Sequence, residues 1–289
     1  IGRHCVLPLV ARGYRVHAIS SRVLPEEVSG VSWHRVDLMD AQRVSELVAK
    51  IRPTHLLHLA WHTTPGEYWT SQENIRWVQA SLSLVQQFAR HAGRRVVVAG
   101  TCAEYDWRYG FCSEAVTPLN PKTLYGVCKH SLRLVVAALA RQTQLTFAWG
   151  RIFFVFGPHE HPARFVPSVV RSLLRGEPAR CTHGNQIRDF LFVRDVADAL
   201  VALLDSSVSG PVNVASGNPV ALREVAWAIG RQAGRIDLIR LGALPAPCSE
   251  PTILLGEVGR LRDEVGWYPT YDLSTGLEET VQWWKQKME

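Results

Sequence analysis

Strand-like and helical stretches alternate strictly through the first half of the chain, and this order limits the fold more than any other feature of the sequence. Strands separated by helices pair in parallel, so the alternation predicts an α/β fold with a doubly wound parallel sheet. The stretch RRVVVAGT carries an unbroken valine run that suits a strand buried on both faces. The other predicted strands are YRVHAIS, VSWHRVD, THLLHLA and LTFAWGRIF, and the predicted helices are IGRHCVLPLVAR, DAQRVSELVAKI with Asp40 as N-cap, and the segments around 71–92 and 123–143.

The alternation loosens after Gly157, and we expect a smaller lobe there. Residues 1–157 would form the main α/β domain, and residues 158–289 would mainly form a C-terminal lobe, with about 187–215 packing back on the main sheet. The sequence begins at Ile1 without a methionine, and Gly2 leads directly into a helical pattern. We therefore expect that it starts inside a motif whose first strand is missing.

The composition is that of a folded globular protein, with 289 residues, 47% of them hydrophobic and 20% charged. A net charge of +6 without a run of five basic residues argues against a nucleic-acid groove, and it leaves room for a pocket that binds an anionic small molecule. Six cysteines without a CxxC pair, no signal peptide and no membrane-length apolar run predict a cytoplasmic protein without membrane contact. The closely spaced His159, Glu160 and His161 have no partner cluster, so no metal site is predicted.

The helix predicted around 123–143 holds Tyr125 and Lys129 four residues apart and therefore on one face. A nearby ammonium favours the phenolate, so such a pair could give a proton to a developing alkoxide or take one from a hydroxyl. Ligands of doubly wound sheets bind at the carboxyl ends of the strands, where Thr101 stands. Thr101 could hydrogen-bond the same oxygen. On position alone, Tyr125 and Lys129 could equally be an ordinary pair on a helix surface.

Seven segments resemble, in the right order, the extended short-chain dehydrogenase/reductase family in its NAD-dependent epimerase/dehydratase branch, which acts on nucleotide-linked sugars. IGRH looks like the end of the family's GxxGxIG turn, and VDLMD looks like its adenine-contacting motif. HLLHLAW looks like its fourth strand, and VVVAGTCAEY matches its SSxxxY segment. YGVCK matches YxxxK, GRIFFVFGP matches RxxNxYGP, and IRDFLFVRDVADAL matches RDFxxVxDxA.

The resemblance implies a Rossmann fold, a homodimer that pairs the helices around 71–92 and 123–143, and Thr101, Tyr125 and Lys129 as catalytic residues. The family's NAD binders usually carry an acid at the end of the second strand, where this chain has Ser20, Ser21 and Arg22. Hydroxyls and a guanidinium can bind a 2′-phosphate, so these residues favour NADP(H) over NAD. The alternative is that Arg22 is a solvated loop cation. The implied cofactor-binding residues are Gly2, Ser20, Ser21, Arg22, Asp37, Leu38, Ala60, Trp61, Tyr125, Lys129, Ile152 and Phe153.

Arg188 matches the arginine that holds the substrate diphosphate in related epimerases, and the alternative is an ion pair with Asp189 or another acid. The other implied substrate contacts are His62, Cys102 and Phe154.

Two departures from the family narrow the predicted reaction. The family's 4,6-dehydratases have Asp and Glu after the catalytic hydroxyl, where this chain has Cys102 and Ala103, which argues against dehydration. Glu104 comes one place too late and is expected to be a loop carboxylate. We predict an oxidoreductase that reduces the 4-keto group of a nucleotide-linked 6-deoxy sugar, similar to reductases of the abequose-synthase type. An NAD-dependent 4-epimerase and a non-catalytic dinucleotide-binding relative are the alternatives.

Overall fold

The computed structural model describes residues 1–21, 28–246 and 250–289 of the chain. Through residues 1–101 the order of the elements is the one that the sequence predicts, and β2 follows β1 without a described helix between them. The elements are α1 (Gly2–Ala11), β1 (Val16–Ser20), β2 (Val31–Arg35), α2 (Ala41–Ile51), β3 (His55–His58), α3 (Glu73–Arg90) and β4 (Arg95–Thr101).

The remainder of the chain adds longer helices and several very short strands. These are β5 (Phe111–Cys112), α4 (Leu124–Gln142), β6 (Thr146–Ile152), β7 (Phe154–Phe156), α5 (Phe165–Leu174), β8 (Ala179–Arg180), β9 (Ile187–Phe192), α6 (Val193–Asp205), β10 (Gly210–Val214), β11 (Pro219–Ala221), α7 (Leu222–Gln232), β12 (Ile239–Arg240), β13 (Ile253–Gly256) and α8 (Leu273–Met288).

The main sheet has four parallel strands in the order β10-β6-β4-β3. Every residue of β4 is buried because helices cover both faces of the sheet. Successive side chains of a strand point to opposite faces, so Val97 packs beneath α6 while Val96 and Val98 pack beneath α3 and α4. In this register Thr101 of β4 lies opposite Ile152 of β6, which puts both strand ends at the same edge.

Strands β1 and β2 pair in parallel in a separate two-stranded sheet. Helix α1 packs on α6, where Cys5 lies in one cluster with Ala197 and Val201. The predicted N-cap of α2 is confirmed, because the Asp40 carboxylate accepts a hydrogen bond from the Arg43 backbone N–H at 3.1 Å. The cap satisfies one of the backbone donors that a helix start leaves free.

A second sheet has the order β11-β9-β13-β5, and β7 pairs with β9. Helices α5, α7 and α8 enclose their own apolar cluster beside it. Within residues 187–215, α6 and β10 lie on the main sheet, whereas β9 belongs to the second sheet. The division of the chain near residue 157 stays a prediction.

The segment 102–121, predicted as one long loop, contains two short 3-10 turns at Cys102–Glu104 and Trp107–Tyr109 and the strand β5, which pairs with β13. A two-residue strand has no periodicity that a sequence pattern could reveal. Among the described helices, none combines the length and the apolar character needed to cross a membrane.

Candidate active site

The three predicted catalytic residues meet at the carboxyl end of β4. Thr101 is the last residue of that strand, and Tyr125 and Lys129 lie in the first turns of α4. The helix begins at its N-cap Thr123, whose hydroxyl accepts from the Gly126 backbone N–H at 3.1 Å. Gly126 fits there because a Cβ would lie 2.5 Å from the Ala103 carbonyl oxygen. The close approach of the helix to the strand end brings the side chain of Tyr125 next to that of Thr101.

Tyr125 is 9% exposed, and its pKa is raised above the ordinary value of 10, chiefly because burial disfavours the phenolate. The interaction with the Thr101 side chain lowers the pKa of Tyr125, whereas the neighbouring Tyr68, Cys102 and Glu104 raise it further. The net shift of the Tyr125 pKa is therefore opposite to the direction expected from Lys129, because burial has the largest effect. The hydroxyl keeps its proton near neutral pH, which suits a proton donor.

The ammonium of Lys129 lies inside the protein, with 3% of the residue exposed. Its Nζ donates to the Ala99 backbone carbonyl at 2.8 Å and lies 3.9 Å from the centre of the Trp61 ring. Burial lowers the pKa of Lys129 to about 7, and the charge of Glu104 opposes that effect. The burial of His58 and, to a smaller extent, the charge of Lys129 lower the pKa of His58 to about 3. Lys129 therefore titrates close to neutral pH.

Aromatic side chains surround the Tyr125 ring. The ring centroids of Tyr68 and Trp69 lie 5.0 and 5.7 Å away, and that of Trp61 lies 6.5 Å away. Asn74 ties the segment 61–71 together, because it accepts from Trp61 Nε1 at 2.8 Å and donates to the Tyr68 carbonyl at 2.7 Å. This aromatic wall excludes water from the hydroxyl and offers flat apolar faces to a ligand.

Most predicted cofactor-binding residues stand at ends of strands or directly after them. Ser20 ends β1, Asp37 follows β2, and Ala60 and Trp61 follow β3. Asp37 accepts from the Met39 backbone N–H at 3.0 Å. Gly2 opens α1 against the end of β3, since a Cβ there would lie 3.8 Å from Leu59. The other predicted residues are Ser21 after β1, Leu38 against α2, Ile152 at the end of β6, and Phe153, which is buried beside Tyr105. Arg22 lies outside the described residues.

The predicted substrate contacts divide into two groups. Cys102 lies next to Thr101, and His62 follows Trp61, with its Nε2 4.0 Å from a Glu67 carboxylate oxygen. Arg188 and Phe154 lie together on β9 and β7, with the guanidinium 5.4 Å from the phenyl ring. The ion pair considered for Arg188 is present, but its partner is Glu250 at 2.8 Å. The diphosphate contact of Arg188 stays a prediction.

Tyr68 was not singled out from the sequence, and Glu104 was misjudged. Tyr68 of the aromatic wall carries no local pattern that marks it. Glu104 is not a loop carboxylate; it is fully buried and accepts from the Thr101 backbone N–H at 3.0 Å. The spacing Thr101-x-x-Glu104 is the signature of a capping box, and it could have placed this carboxylate beneath the strand end. In the part of the chain that the structure describes, no group of three or more His, Cys, Asp or Glu residues could hold a metal ion.

Comparisons with known proteins find a family model, relatives and solved structures that are similar to this chain. The model of the NAD dependent epimerase/dehydratase family matches residues 1–215. UDP-glucuronic acid decarboxylase 1 of Xenopus tropicalis is 24% identical over 301 residues, which cover 100% of this chain and 70% of the relative. CDP-abequose synthase of Salmonella typhimurium is 24% identical over 300 residues, covering 98% and 94% of the two chains. The structure of MoeE5 in complex with UDP-glucose and NAD has a TM-score of 0.85 at 26% identity, covering 100% of this chain and 96% of that one.

Proposed function

Because the chain belongs to the NAD dependent epimerase/dehydratase family, we propose that it reduces the 4-keto group of a nucleotide-linked 6-deoxy sugar. Family membership confirms the predicted Rossmann fold and the predicted class of NAD-dependent nucleotide-sugar enzymes. The reaction within that class is our inference from the site. It rests first on one observation: the Tyr125 hydroxyl is buried beside Thr101, and burial raises its pKa, so it can serve as a proton donor.

Reduction of a ketone needs a hydride at carbon and a proton at oxygen. The nicotinamide cofactor, when bound, supplies the hydride. Tyr125 donates its proton to the carbonyl oxygen, and the Thr101 hydroxyl hydrogen-bonds the same oxygen and fixes its position. The positive charge of Lys129, one helical turn away, stabilises the tyrosinate that remains.

The residues at the strand ends fit a nicotinamide dinucleotide. The Lys129 ammonium has three N–H donors, and the described residues give it one hydrogen-bond acceptor, the Ala99 carbonyl. Its other donors suit ribose hydroxyls. The N-terminus of α1 lies against Leu59 at the end of β3, where the free N–H groups and the helix dipole favour a pyrophosphate.

The surroundings of Tyr125 favour a ketone of a deoxy sugar over the other chemistries of the family. Cys102 and Ala103 provide no carboxylate for the dehydration that Asp and Glu perform in the 4,6-dehydratases. The faces of Tyr68 and Trp69 suit the C–H face and methyl group of a 6-deoxy sugar. CDP-abequose synthase, one of the relatives, supports the same assignment by its name.

The direct test follows the oxidation of NADH and NADPH by the full-length protein with a panel of nucleotide-linked 4-keto-6-deoxy sugars. We expect turnover with at least one of them. The substitution Tyr125→Phe should lower kcat by about 10²- to 10⁴-fold, the usual contribution of a positioned acid. The exposed Tyr268 provides the matched control, and Tyr268→Phe should leave kcat unchanged. Full turnover by Tyr125→Phe would refute the catalytic role.

A 4-epimerase is the second candidate, because the family includes epimerases. Tyr125, with Thr101 and Lys129, would take the proton of the C4 hydroxyl while bound NAD would take the hydride, and both would then be returned to the opposite face of the sugar. An epimerase keeps its cofactor bound through the cycle, so NAD that stays with the protein through gel filtration would favour it. MoeE5 binds NAD, and the NADP(H) preference predicted from Ser20, Ser21 and Arg22 has no support beyond the sequence. We therefore propose that the chain binds NAD at least as well as NADP.

A non-catalytic dinucleotide-binding relative remains the third candidate, and the absence of turnover with every sugar of the panel would favour it. We also propose a homodimer that buries the outer faces of α3 and α4. Those faces expose large apolar side chains in the assembled fold, namely Ile75, Val127, Leu134 and Val135. A sedimentation velocity experiment that finds only monomer would contradict the dimer.

A further inference from the structure

Glu104 is a buried charged group that the proposed reaction does not yet use. It stands in the 3-10 turn directly after β4 and is 0% exposed. Its Oε1 turns back to accept from the Thr101 backbone N–H at 3.0 Å, while the Thr101 hydroxyl accepts from the Ala103 backbone N–H at 3.2 Å. The two bonds close a capping box around the residue whose hydroxyl reaches Tyr125.

Two further donors from the neighbouring strand β6 hold the carboxylate. Trp149 Nε1 donates to Oε1 at 2.7 Å, and Arg151 Nε donates to Oε2 at 3.0 Å. Gly100 makes this arrangement possible, because a Cβ at that position would lie 2.0 Å from Trp149 Nε1 and 2.8 Å from Glu104 Oε1. The carboxylate is therefore fixed between the strand ends of β4 and β6.

Among the described residues, Glu104 is the carboxylate that acts on both Tyr125 and Lys129. Its charge raises the pKa of Lys129 against the effect of burial, and it raises the pKa of Tyr125 in addition to the effect of burial. In the described part of the chain, the other titratable groups that face Glu104 or Lys129 are basic or neutral. They are His58 on β3, the Cys102 thiol in the same turn, His130 and Arg133 on α4, and Arg151 on β6, which also contacts the phenol of Tyr105.

We propose that Glu104 is a positioning residue of the proton transfer: its carboxylate fixes the turn that carries Thr101 and holds the protons on both Tyr125 and Lys129. This inference rests on the proposed function, because it assigns Tyr125 the role of proton donor. Glu104 does not touch the reacting oxygen. It acts through Thr101 by hydrogen bonding and through the pair by charge.

The test is the pH dependence of kcat/KM for Glu104→Gln in the full-length protein. Glutamine keeps the shape and an acceptor oxygen but removes the negative charge. Both members of the pair then lose their protons at lower pH, so we expect the alkaline limb of the profile to move down by about one pH unit. An alkaline limb in the same place as that of the wild type would overturn the proposal.

Two further variants separate charge from structure. Glu104→Asp keeps the charge but is too short to reach all its donors, so it should lower Tm while leaving the limb closer to its wild-type position. Glu114→Gln is the control, since Glu114 is half-buried and accepts from the Asn213 backbone N–H at 2.7 Å. It should leave the limb unmoved. If the alkaline limb of the pH profile shifts in proportion to the change in Tm in all three variants, the role of Glu104 is merely structural.

Failure of this proposal can be told apart from failure of the proposed function. If Tyr125→Phe retains full activity or the wild type turns over no sugar, the proposed function is wrong, and Glu104 loses the role assigned to it here. If Tyr125→Phe is inactive and Glu104→Gln shows the wild-type profile, only the role of Glu104 is wrong.

Discussion

The buried ammonium of Lys129 should make the protein less stable at pH 7 than a variant without it. Burial lowers the pKa of this lysine from 10.5 to about 7, so the unfolded chain binds a proton more tightly than the folded chain. Between these two values the unfolded state carries more protons, and stability therefore rises with pH. The difference corresponds to about 4 kcal/mol against folding at pH 7 and about 2 kcal/mol at pH 9.

The substitution Lys129→Met removes this cost and keeps an unbranched side chain of similar length in place. It also leaves the Ala99 carbonyl without its donor, which costs about 1–3 kcal/mol and does not depend on pH. The variant should therefore be more stable than the wild type by about 1–3 kcal/mol at pH 7 and about equal to it at pH 9. His58, whose pKa burial lowers to about 3, does not titrate in this window.

Urea denaturation of wild type and variant at pH 7, 8 and 9 measures this quantity. The sharpest expectation is the change in the difference between them, about 2 kcal/mol over the range, because every cost that does not depend on pH cancels. The exposed Lys285 on α8 provides the matched control, and the difference between Lys285→Met and wild type should stay constant. If the difference in unfolding free energy between Lys129→Met and wild type is also constant from pH 7 to pH 9, the assignment of a destabilised ammonium to Lys129 is refuted.

Two other outcomes follow from the same part of the molecule. Gly100→Ala places a Cβ 2.0 Å from Trp149 Nε1, so it should lower the free energy of unfolding by about 3 kcal/mol in urea titrations. Gly259→Ala is the control and should change the free energy of unfolding little, because no atom lies closer than 3.8 Å to its Cβ. Equal stabilities of the two variants would contradict the packing between β4 and β6. Binding of NAD at pH 7 should be accompanied by uptake of a fraction of a proton at Lys129, which calorimetry in buffers of different ionisation enthalpy would detect. The proton uptake should vanish in Lys129→Met. Uptake that persists in this variant would assign the proton to another group.

The order of the first elements could be predicted because each carries its own periodicity. The valines of β4 pack alternately beneath α6 and beneath α3 and α4, and the sequence shows this as one continuous apolar run. Strands β5, β8 and β12 have two residues each, and their partners lie far away in the chain. A local sequence pattern cannot predict a strand pairing that only the tertiary structure stabilises.

The candidate site shows the same division. The spacing of Tyr125 and Lys129 is a property of one helix, so the sequence could place both on one face. The effect of burial on their pKa values is a property of the whole fold, and it reversed the expected direction for Tyr125. Glu104 was misjudged because its donors on Trp149 and Arg151 lie more than forty residues further along the chain. Arg22 lies outside the described residues, and its role stays a prediction.

The two kinds of buried charge in this chain differ in how completely the fold satisfies them. Asp189 accepts from the Ser216 backbone N–H at 2.6 Å, from the Ser216 hydroxyl at 2.7 Å and from the Gly217 backbone N–H at 3.0 Å, so it serves to fix a turn. Lys129 has, among the residues that the structure describes, one carbonyl acceptor and the face of Trp61. An acceptor on a ligand would stabilise the ammonium where the protein alone does not. Protonation of Lys129 and binding of such a ligand therefore favour each other, and the stability lost by burying the lysine is recovered when the ligand binds.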